Sequence, residues 1–333
     1  MMRRIRAFLL VSAVLLLFAL TTLFVLVATP MPEIGTQRDV FGFESLRPAP
    51  APRVELERYP ARDGERLAYR FYDSSSDTLL IFVHGSSYHG AAYAALAAHL
   101  SEAGVAKVYL PNLRGHYQSG RRRGDVDYVG QLEDDVADLI GFARARGHTG
   151  PVVLGGHSSG GGFAIRFAGG PHGALVSGFL LLAPVIPTAP TVKDDAGGWA
   201  SLNGRRLAGL IGLNVLGVHG FDGLPIIEFN KPEAFRDGTE TLAYTYRLNA
   251  AYHPRYPYQA DLAAMRAPVL LLIGENDEAN DAHAYEALLA DDCPQAELNV
   301  LPGVDHFGVF GDPGALQRME AWLAARAGEW GAR

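Results

Sequence analysis

From Val54 onwards the chain alternates short apolar runs with longer stretches that have the period of an amphipathic helix. The runs predict strands at Val54–Tyr59, Arg66–Tyr72, Leu79–Val83, Val105–Leu110, Val152–Leu154, Leu175–Leu182, Val269–Ile273 and Glu297–Leu301. The helical stretches predict helices at Ala91–Ala103, Gln131–Arg146, Ser159–Ala168, Ala282–Leu289 and Ala315–Arg326. The first two strands form an antiparallel pair around the turn dipeptide Asp63-Gly64. Because strands separated by helices are joined by right-handed crossovers, the pattern indicates an α/β fold with a mostly parallel sheet.

The alternation stops between Val185 and Leu262, and this segment is too long for a plain loop. We expect residues 185–262, called the cap below, to form a mainly helical insert over the carboxyl ends of the strands. Residues 54–184 and 263–333 then form the core domain. The cap is rich in aromatic residues, which form either its own core or the wall of an apolar binding pocket: Trp199, Phe221, Phe229, Phe235, Tyr244, Tyr246, Tyr252, Tyr256 and Tyr258.

The N-terminus has the pattern of a membrane anchor. Arg3, Arg4 and Arg6 precede residues 7–28, which carry no charge. At about 1.5 Å per residue this run reaches roughly 33 Å, enough to span a hydrocarbon core. An uncleaved anchor is favoured over a cleaved signal peptide because residues 29–32 offer no small-x-small site; a buried core helix is the third alternative. The arginines predict a cytoplasmic N-terminus and place the domain that follows the anchor outside the cytoplasm.

A Pro-rich linker separates the anchor, residues 1–32, from the core domain. Residues 33–53 contain Pro48, Pro50 and Pro52 and show no apolar period. Such a composition predicts an extended spacer between the membrane and the domain.

Composition excludes several classes of protein. The formal charge of −7 gives no nucleic-acid footprint, which would need a basic face. Cys293 is the only cysteine, so the chain has no internal disulfide framework and no cysteine-rich metal site. The histidines and carboxylates show no metal-ligand spacing, and the sequence implies no cofactor. Hydrophobic residues make up 48% of the chain, which argues against disorder.

The sharpest chemical signal is Gly156-His157-Ser158-Ser159-Gly160, a G-x-S-x-G pattern. An apolar strand leads into it and an apolar helix follows it, as in a nucleophile elbow. Such an elbow needs small neighbours because the backbone of the nucleophile is strained, and it exposes the Ser158 hydroxyl at a helix N-terminus. We expect Ser158 to be a nucleophile.

A serine hydroxyl needs a base to take its proton, and the base needs a carboxylate to orient it. Asp277 lies just past the strand Val269–Ile273, and His306 lies just past the strand Glu297–Leu301. The chain order Ser158, Asp277, His306 is the order that the elbow architecture uses. Neighbouring carboxylates keep the choice of Asp277 open: Glu275, Glu278 and Asp281.

Backbone donors for a developing oxyanion are also present. His84-Gly85-Ser86-Ser87 follows the strand Leu79–Val83 directly. An oxyanion hole needs two N–H groups aimed at the developing charge. We expect these to be the N–H of Ser86 and the N–H of Ser159, the residue after the nucleophile.

These motifs resemble those of the α/β-hydrolase superfamily, from about Val54 to Gly328. Within it, the chain is most similar to the monoacylglycerol lipase and lysophospholipase branch, which includes serine aminopeptidase-like enzymes. Residues 110–116 with Ser119-Gly120 are similar to that branch's Asp-x-x-Gly-x-Gly-x-Ser stretch, except for Asn112 and His116-Tyr117. The resemblance implies an α/β-hydrolase fold, a triad of Ser158, Asp277 and His306, and an ester or lipid ester as substrate.

The sequence therefore predicts a membrane-anchored serine hydrolase that cleaves lipid-like carboxylic esters such as monoacylglycerol or lysophospholipid. A peptidase or amidase on the same triad is the first alternative, since Asp194, Asp195 and Glu228 would give an acidic cap pocket. A non-catalytic binding protein and an acyltransferase are the others. Acyl length, head group and oligomeric state do not follow from the sequence.

Overall fold

The fold was analysed in a computed structural model, which describes residues 1–35, 39–43, 52, 54–193 and 198–331. Its strands are β1 Glu57–Pro60, β2 Arg66–Tyr72, β3 Leu79–Val83, β4 Lys107–Pro111, β5 Val152–His157, β6 Gly178–Leu182, β7 Ala200–Leu202, β8 Pro225–Phe229, β9 Ala243–Thr245, β10 Val269–Gly274 and β11 Ala296–Leu301. Its α-helices are α1 Met2–Val27, α2 Ala94–Glu102, α3 Gln131–Ala145, α4 Ser159–Ala168, α5 Gly204–Val215, α6 Tyr246–Tyr252, α7 Gln259–Ala263, α8 Ala284–Asp292 and α9 Pro313–Gly331.

Eight strands form the central sheet, in the order β1-β2-β4-β3-β5-β6-β10-β11. β2 runs antiparallel to both of its neighbours, β1 and β4, and the other pairs are parallel. The inner strands β3, β5, β6 and β10 are buried along their whole length, as continuous apolar runs in a parallel sheet require. The predicted α/β-hydrolase fold with helices flanking a mostly parallel sheet is confirmed.

Strand bounds differ from the sequence prediction by up to three residues: β1 begins at Glu57 instead of Val54, β4 at Lys107 instead of Val105, and β5 and β6 differ as follows. The strand predicted over Leu175–Leu182 begins only at Gly178, because Gly173–Leu175 forms a 3₁₀ turn. β5 instead runs further than predicted and ends at His157, so that the sheet reaches the residue before Ser158.

The cap contains a small sheet that the sequence analysis did not predict. β7, β8 and β9 form a three-stranded antiparallel sheet, and α5 and α6 accompany it. Its outer strands have three residues each, too short to show a period of two in the sequence.

α1 is apolar and almost wholly exposed, with only 6% of its most hydrophobic window buried. That exposure excludes the alternative of a buried core helix; by length and composition α1 is either a membrane span or a signal sequence. Its last turns pack against α5, where Leu23 and Val27 contact Gly209. Arg206 of α5 donates to the Val27 carbonyl oxygen at 3.0 Å, which caps the end of α1.

Part of the linker does not form the extended spacer that its proline content predicts. Residues 39–43 pack against the core, where Phe41 and Phe43 are buried beside Phe307. Two phenylalanines two residues apart bring enough apolar surface to hold this segment down. Pro48 and Pro50 lie outside the described residues.

Candidate active site

Ser158 lies at a sharp turn between β5 and α4. Its φ of 56° and ψ of −123° are a strained conformation for a residue with a side chain. The flanking glycines are required by space: a Cβ on Gly156 would lie 2.3 Å from the Gly160 carbonyl carbon, and a Cβ on Gly160 would lie 2.3 Å from the Val83 carbonyl oxygen. The local chain therefore has the geometry of a nucleophile elbow.

Asp277 and His306 form a hydrogen-bonded pair at the ends of neighbouring strands. His306 Nδ1 donates to Asp277 Oδ2 at 2.7 Å, and both side chains are buried. The other carboxylate oxygen of Asp277 accepts from the Ala279 and Asn280 N–H groups at 2.8 and 2.7 Å. Among the neighbouring carboxylates, Glu278 accepts the His306 N–H at 3.0 Å, so it holds the backbone and not the ring.

The Asp277 carboxylate stays ionised in this setting. Burial raises the pKa of Asp277, but the charge of the His306 imidazolium, the His306 hydrogen bond and the two backbone N–H groups lower it further than burial raises it. Since the carboxylate only accepts, the proton on the His306 ring lies on Nδ1 and leaves Nε2 able to accept a proton.

One cavity of about 210 Å³ connects these groups: Ser158, His306, Ser86 and Ser159 all line it. In the described part of the chain, Ser158 Oγ makes no hydrogen bond to the His306 ring. Without substrate, such contacts are often long and tighten only in the substrate complex.

The two predicted oxyanion residues also meet in this cavity. Ser86 follows β3 and Ser159 begins α4, and their hydroxyl oxygens lie 2.5 Å apart. Gly85 lets the loop after β3 lie close to Ser158, because a Cβ on Gly85 would lie 3.2 Å from Ser158 Cβ.

A hydrogen-bonded chain that the sequence analysis missed connects the three loops of the site. The Gly85 N–H donates to the Tyr93 hydroxyl at 3.0 Å, and that hydroxyl is 2.9 Å from His157 Nδ1. His157 Nε2 is 2.9 Å from the His306 carbonyl oxygen. Burial lowers the pKa of His157 to about 3, so the ring is neutral, donates from Nε2 and accepts at Nδ1.

The rest of the cavity wall is mainly apolar, with Tyr88, His157 and His253 as its polar members, and comes from three parts of the chain. The linker supplies Phe41 and the core supplies Phe307. The cap supplies Val185, Pro187, Val192, Trp199, Ala200, Ile227 and Phe229. Several of the cap residues therefore line a pocket instead of only filling the core of the cap.

Other candidate residues lie elsewhere. Glu228 alternates with two wall residues along β8 and does not line the cavity. Asp194 and Asp195 lie outside the described residues. His116 is buried against the Tyr244 hydroxyl at 2.7 Å, away from the cavity. The described ranges contain no group of three His, Cys, Asp or Glu that could hold a metal ion.

Comparison with known proteins identifies the family. A family model described as the alpha/beta hydrolase family matches residues 80–318, which is most of the chain. The chain belongs to the alpha/beta hydrolase family. This alpha/beta hydrolase is 24% identical over 282 residues to a monoacylglycerol lipase of Mycolicibacterium smegmatis, with 79% of this chain and 94% of the relative covered.

Solved structures show the same fold. The monoacylglycerol lipase of Paleococcus ferrophilus matches with a TM-score of 0.59 at 20% identity, covering 78% of this chain and 98% of that chain. A soluble variant of the monoglyceride lipase of Saccharomyces cerevisiae matches with a TM-score of 0.58 at 20% identity, covering 84% and 97%. The resemblance to the monoacylglycerol lipase branch is thus confirmed.

Proposed function

We propose that this alpha/beta hydrolase is a serine hydrolase that cleaves carboxylic esters with apolar acyl chains. The observation that carries the proposal is that Ser158, at a strained elbow, and His306, hydrogen-bonded to the buried Asp277, line one cavity. A hydroxyl, an imidazole and a carboxylate in this order are the parts that acyl transfer requires.

In the first half of the reaction, Ser158 Oγ attacks the ester carbonyl carbon while His306 Nε2 takes the hydroxyl proton. Asp277 holds the ring and stabilises the imidazolium that forms. The backbone N–H groups of Ser86 and Ser159 stabilise the negative charge on the carbonyl oxygen. When the tetrahedral intermediate collapses, His306 gives its proton to the leaving alcohol and an acyl-enzyme remains.

In the second half, water replaces the alcohol. His306 takes a proton from the water, whose oxygen attacks the acyl carbon. Collapse of the second intermediate breaks the bond to Ser158 Oγ, which recovers its proton from His306. The fatty acid then leaves, and the enzyme returns to its starting state.

The cavity wall and the relatives support a lipid-like substrate. Aromatic and aliphatic side chains dominate the wall, as an acyl chain requires. Three of the relatives, at 20–24% identity, are named monoacylglycerol or monoglyceride lipases. Monoacylglycerol and lysophospholipid are therefore the ester classes that we propose.

A peptidase or amidase remains the alternative on the same residues. It needs a carboxylate to hold the amino group of the substrate, and no described residue of the cavity wall carries one. Cleavage of aminoacyl amides at rates above those of acyl esters would favour it.

We further propose that α1 anchors the enzyme in a membrane, with the N-terminus in the cytoplasm and the catalytic domain on the other side. The support is the charge-free apolar run of α1 and the three arginines before it. Carbonate extraction of membranes and protease protection of the intact chain test the anchoring and its orientation.

The first test is labelling of the full chain, in detergent micelles, with a fluorophosphonate that reacts with activated serines. We expect the wild type to be labelled and Ser158→Ala not to be, because the probe needs the nucleophile and its base. Ser101→Ala, on α2 and away from the cavity, serves as the matched control. Labelling that persists in Ser158→Ala, or a folded wild type that is never labelled, would contradict the proposal.

A further inference from the structure

A phenylalanine from the linker forms part of the wall of the catalytic cavity. Phe41 is buried, and its ring stacks on the His306 ring with centroids 5.1 Å apart and planes 27° apart. The same ring meets Trp199 and Phe307 edge-on, at 5.2 Å in both cases. Residues 39–43, called the Phe41 segment below, lie outside the stretch that matches the family model.

Contacts of its own hold the Phe41 segment in place. The Phe43 N–H donates to Asp39 Oδ1 at 2.7 Å, which closes a turn. Gly42 within this turn has a φ of 59°, a left-handed conformation that favours glycine. Phe43 is buried against Trp199 and Phe307, with centroids 5.8 and 5.6 Å away. The turn therefore directs Phe41 to the cavity and Phe43 to its flank.

The cavity is small, with a volume of about 210 Å³. Each bulky side chain of its wall is therefore expected to affect which acyl chains fit.

We propose that Phe41 is a specificity-determining residue that limits the length of the acyl chain. This inference rests on the proposed ester hydrolysis and adds to it the residue that bounds the substrate. Its ring forms the part of the cavity wall that lies against both Trp199 and the His306 ring, so it bounds the space next to the proposed base.

The test changes the size of this side chain in both directions in the full-length protein. Phe41→Ala removes six ring carbons, and Phe41→Trp enlarges the ring system. The measurement is kcat/KM for p-nitrophenyl esters from acetate to myristate, in one detergent. We expect Phe41→Ala to move the optimum to longer chains and to raise the ratio of long-chain to short-chain kcat/KM by on the order of tenfold. Phe41→Trp is expected to move the optimum to shorter chains.

Phe43→Ala is the matched control, because Phe43 has the same side chain, the same segment and nearly the same burial but does not line the cavity. We expect its optimum to stay at the wild-type chain length. A second readout does not depend on turnover: in Ser158→Ala, the fluorescence of Trp199 is titrated with 1-alkanols of increasing length. The affinity optimum is expected to shift in the Phe41 variants as the kinetic optimum does.

The outcomes separate this inference from the proposed function. Wild-type hydrolysis with an unchanged optimum in both Phe41 variants would overturn the role of Phe41 and leave the ester hydrolase standing. An equal shift in Phe43→Ala would overturn it too, since the effect would then belong to loss of the whole segment. A wild type that hydrolyses no ester would overturn the proposed function, and the alkanol titration would then decide the role of Phe41 alone.

Discussion

At the scale of single residues, the Tyr93 hydroxyl connects separate segments of the candidate site by hydrogen bonds. It accepts from the Gly85 N–H and donates to His157, whose other ring nitrogen reaches the His306 carbonyl oxygen. The chain segments that carry Ser86, Ser158 and His306 are thus connected to one another by hydrogen bonds. Buried polar chains of this kind are costly when one member is removed, because its partners lose their hydrogen bonds.

We expect Tyr93→Phe to lower the free energy of unfolding by about 1–3 kcal/mol, because Gly85 and His157 lose a partner in a buried site. Ester hydrolysis should fall mainly in kcat, since the loops that carry Ser86 and His306 lose their shared support. Urea unfolding and steady-state kinetics measure the two effects. Tyr72→Phe is the matched control: its buried hydroxyl has no hydrogen-bond partner among the described residues, so its loss should leave both values close to wild type.

The elbow glycines give a second residue-scale prediction. Gly160→Ala would place a Cβ 2.3 Å from the Val83 carbonyl oxygen and 2.5 Å from that of His84, neither of which can move without shifting the sheet. We expect a loss of about 1–3 kcal/mol in the free energy of unfolding, as in other overpacked sites. Gly141→Ala, in open space on α3, should instead gain about 0.5–1 kcal/mol, since a helix favours alanine over glycine. Equal denaturation midpoints for the two variants would contradict the steric argument.

The sequence was informative about the chemistry of individual residues and not about their spatial partners. Ser158 could be singled out because its neighbours in sequence are also its neighbours in space. His306 and Asp277 could be singled out because carboxyl ends of parallel strands meet at one edge of a sheet. Tyr93 and Phe41 carry no such signal, since their partners lie 64 and 265 residues away along the chain.

At the scale of elements, α1 and α5 approach closely because glycines line their contact. A Cβ on Gly209 would lie 2.9 Å from Leu26 Cβ and 2.9 Å from the Leu23 carbonyl oxygen. Small residues of this kind let two helix backbones come together in or near a membrane. Asn203 adds a hydrogen bond to the Pro30 carbonyl oxygen at 2.9 Å, just past the end of α1.

This contact can be tested by cross-linking. We expect the pair Leu26→Cys and Gly209→Cys to form a disulfide under mild oxidation, because the two Cβ atoms need to separate by only about 1 Å to reach disulfide geometry. Mass spectrometry of the intact chain detects the bond, and the native Cys293 is buried. The control pair is Leu10→Cys with Gly209→Cys. Leu10 precedes Leu26 by sixteen residues on α1, which places it about 24 Å from Leu26 along the helix axis. Comparable cross-linking in both pairs would show that α1 does not dock on α5.

Elements long enough to show a clear hydrophobic pattern could be predicted from the sequence. Shorter elements could not. β3, with five consecutive apolar residues, was predicted at its observed bounds, Leu79–Val83. β7 and β9 were missed, because three residues are too few to distinguish a strand from a loop. The extended spacer predicted for the linker does not describe residues 39–43. That prediction rested on the prolines and did not consider the two phenylalanines that hold residues 39–43 on the core.

At the scale of the whole molecule, buried histidines couple stability to pH. Burial lowers the pKa of His89 to about 4, of His116 and His157 to about 3, and of His84 well below its usual value. In the unfolded chain these rings titrate near pH 6.5. Above that pH both states are neutral; below it the unfolded chain takes up protons that the folded chain does not, so stability falls.

We therefore expect the free energy of unfolding to decrease between pH 6.5 and pH 5 by up to about 1.4 kcal/mol per pH unit for each of these histidines. Asp135 offsets the effect of one histidine on stability. Burial raises the pKa of Asp135 to about 6, so its carboxyl gains a proton in the folded state as the pH falls. Urea midpoints at several pH values measure the slope. His116→Gln should reduce the slope by the share of one histidine, and a slope of zero in the wild type would contradict the prediction.

The attachment of α1 to α5 has a consequence for any movement between the cap and the core. Arg206 joins the end of α1 to the cap, whereas Ser158 lies at the end of a strand of the core sheet. If a membrane holds α1, the cap is the part fixed to that membrane, and a displacement of one part relative to the other would move the core.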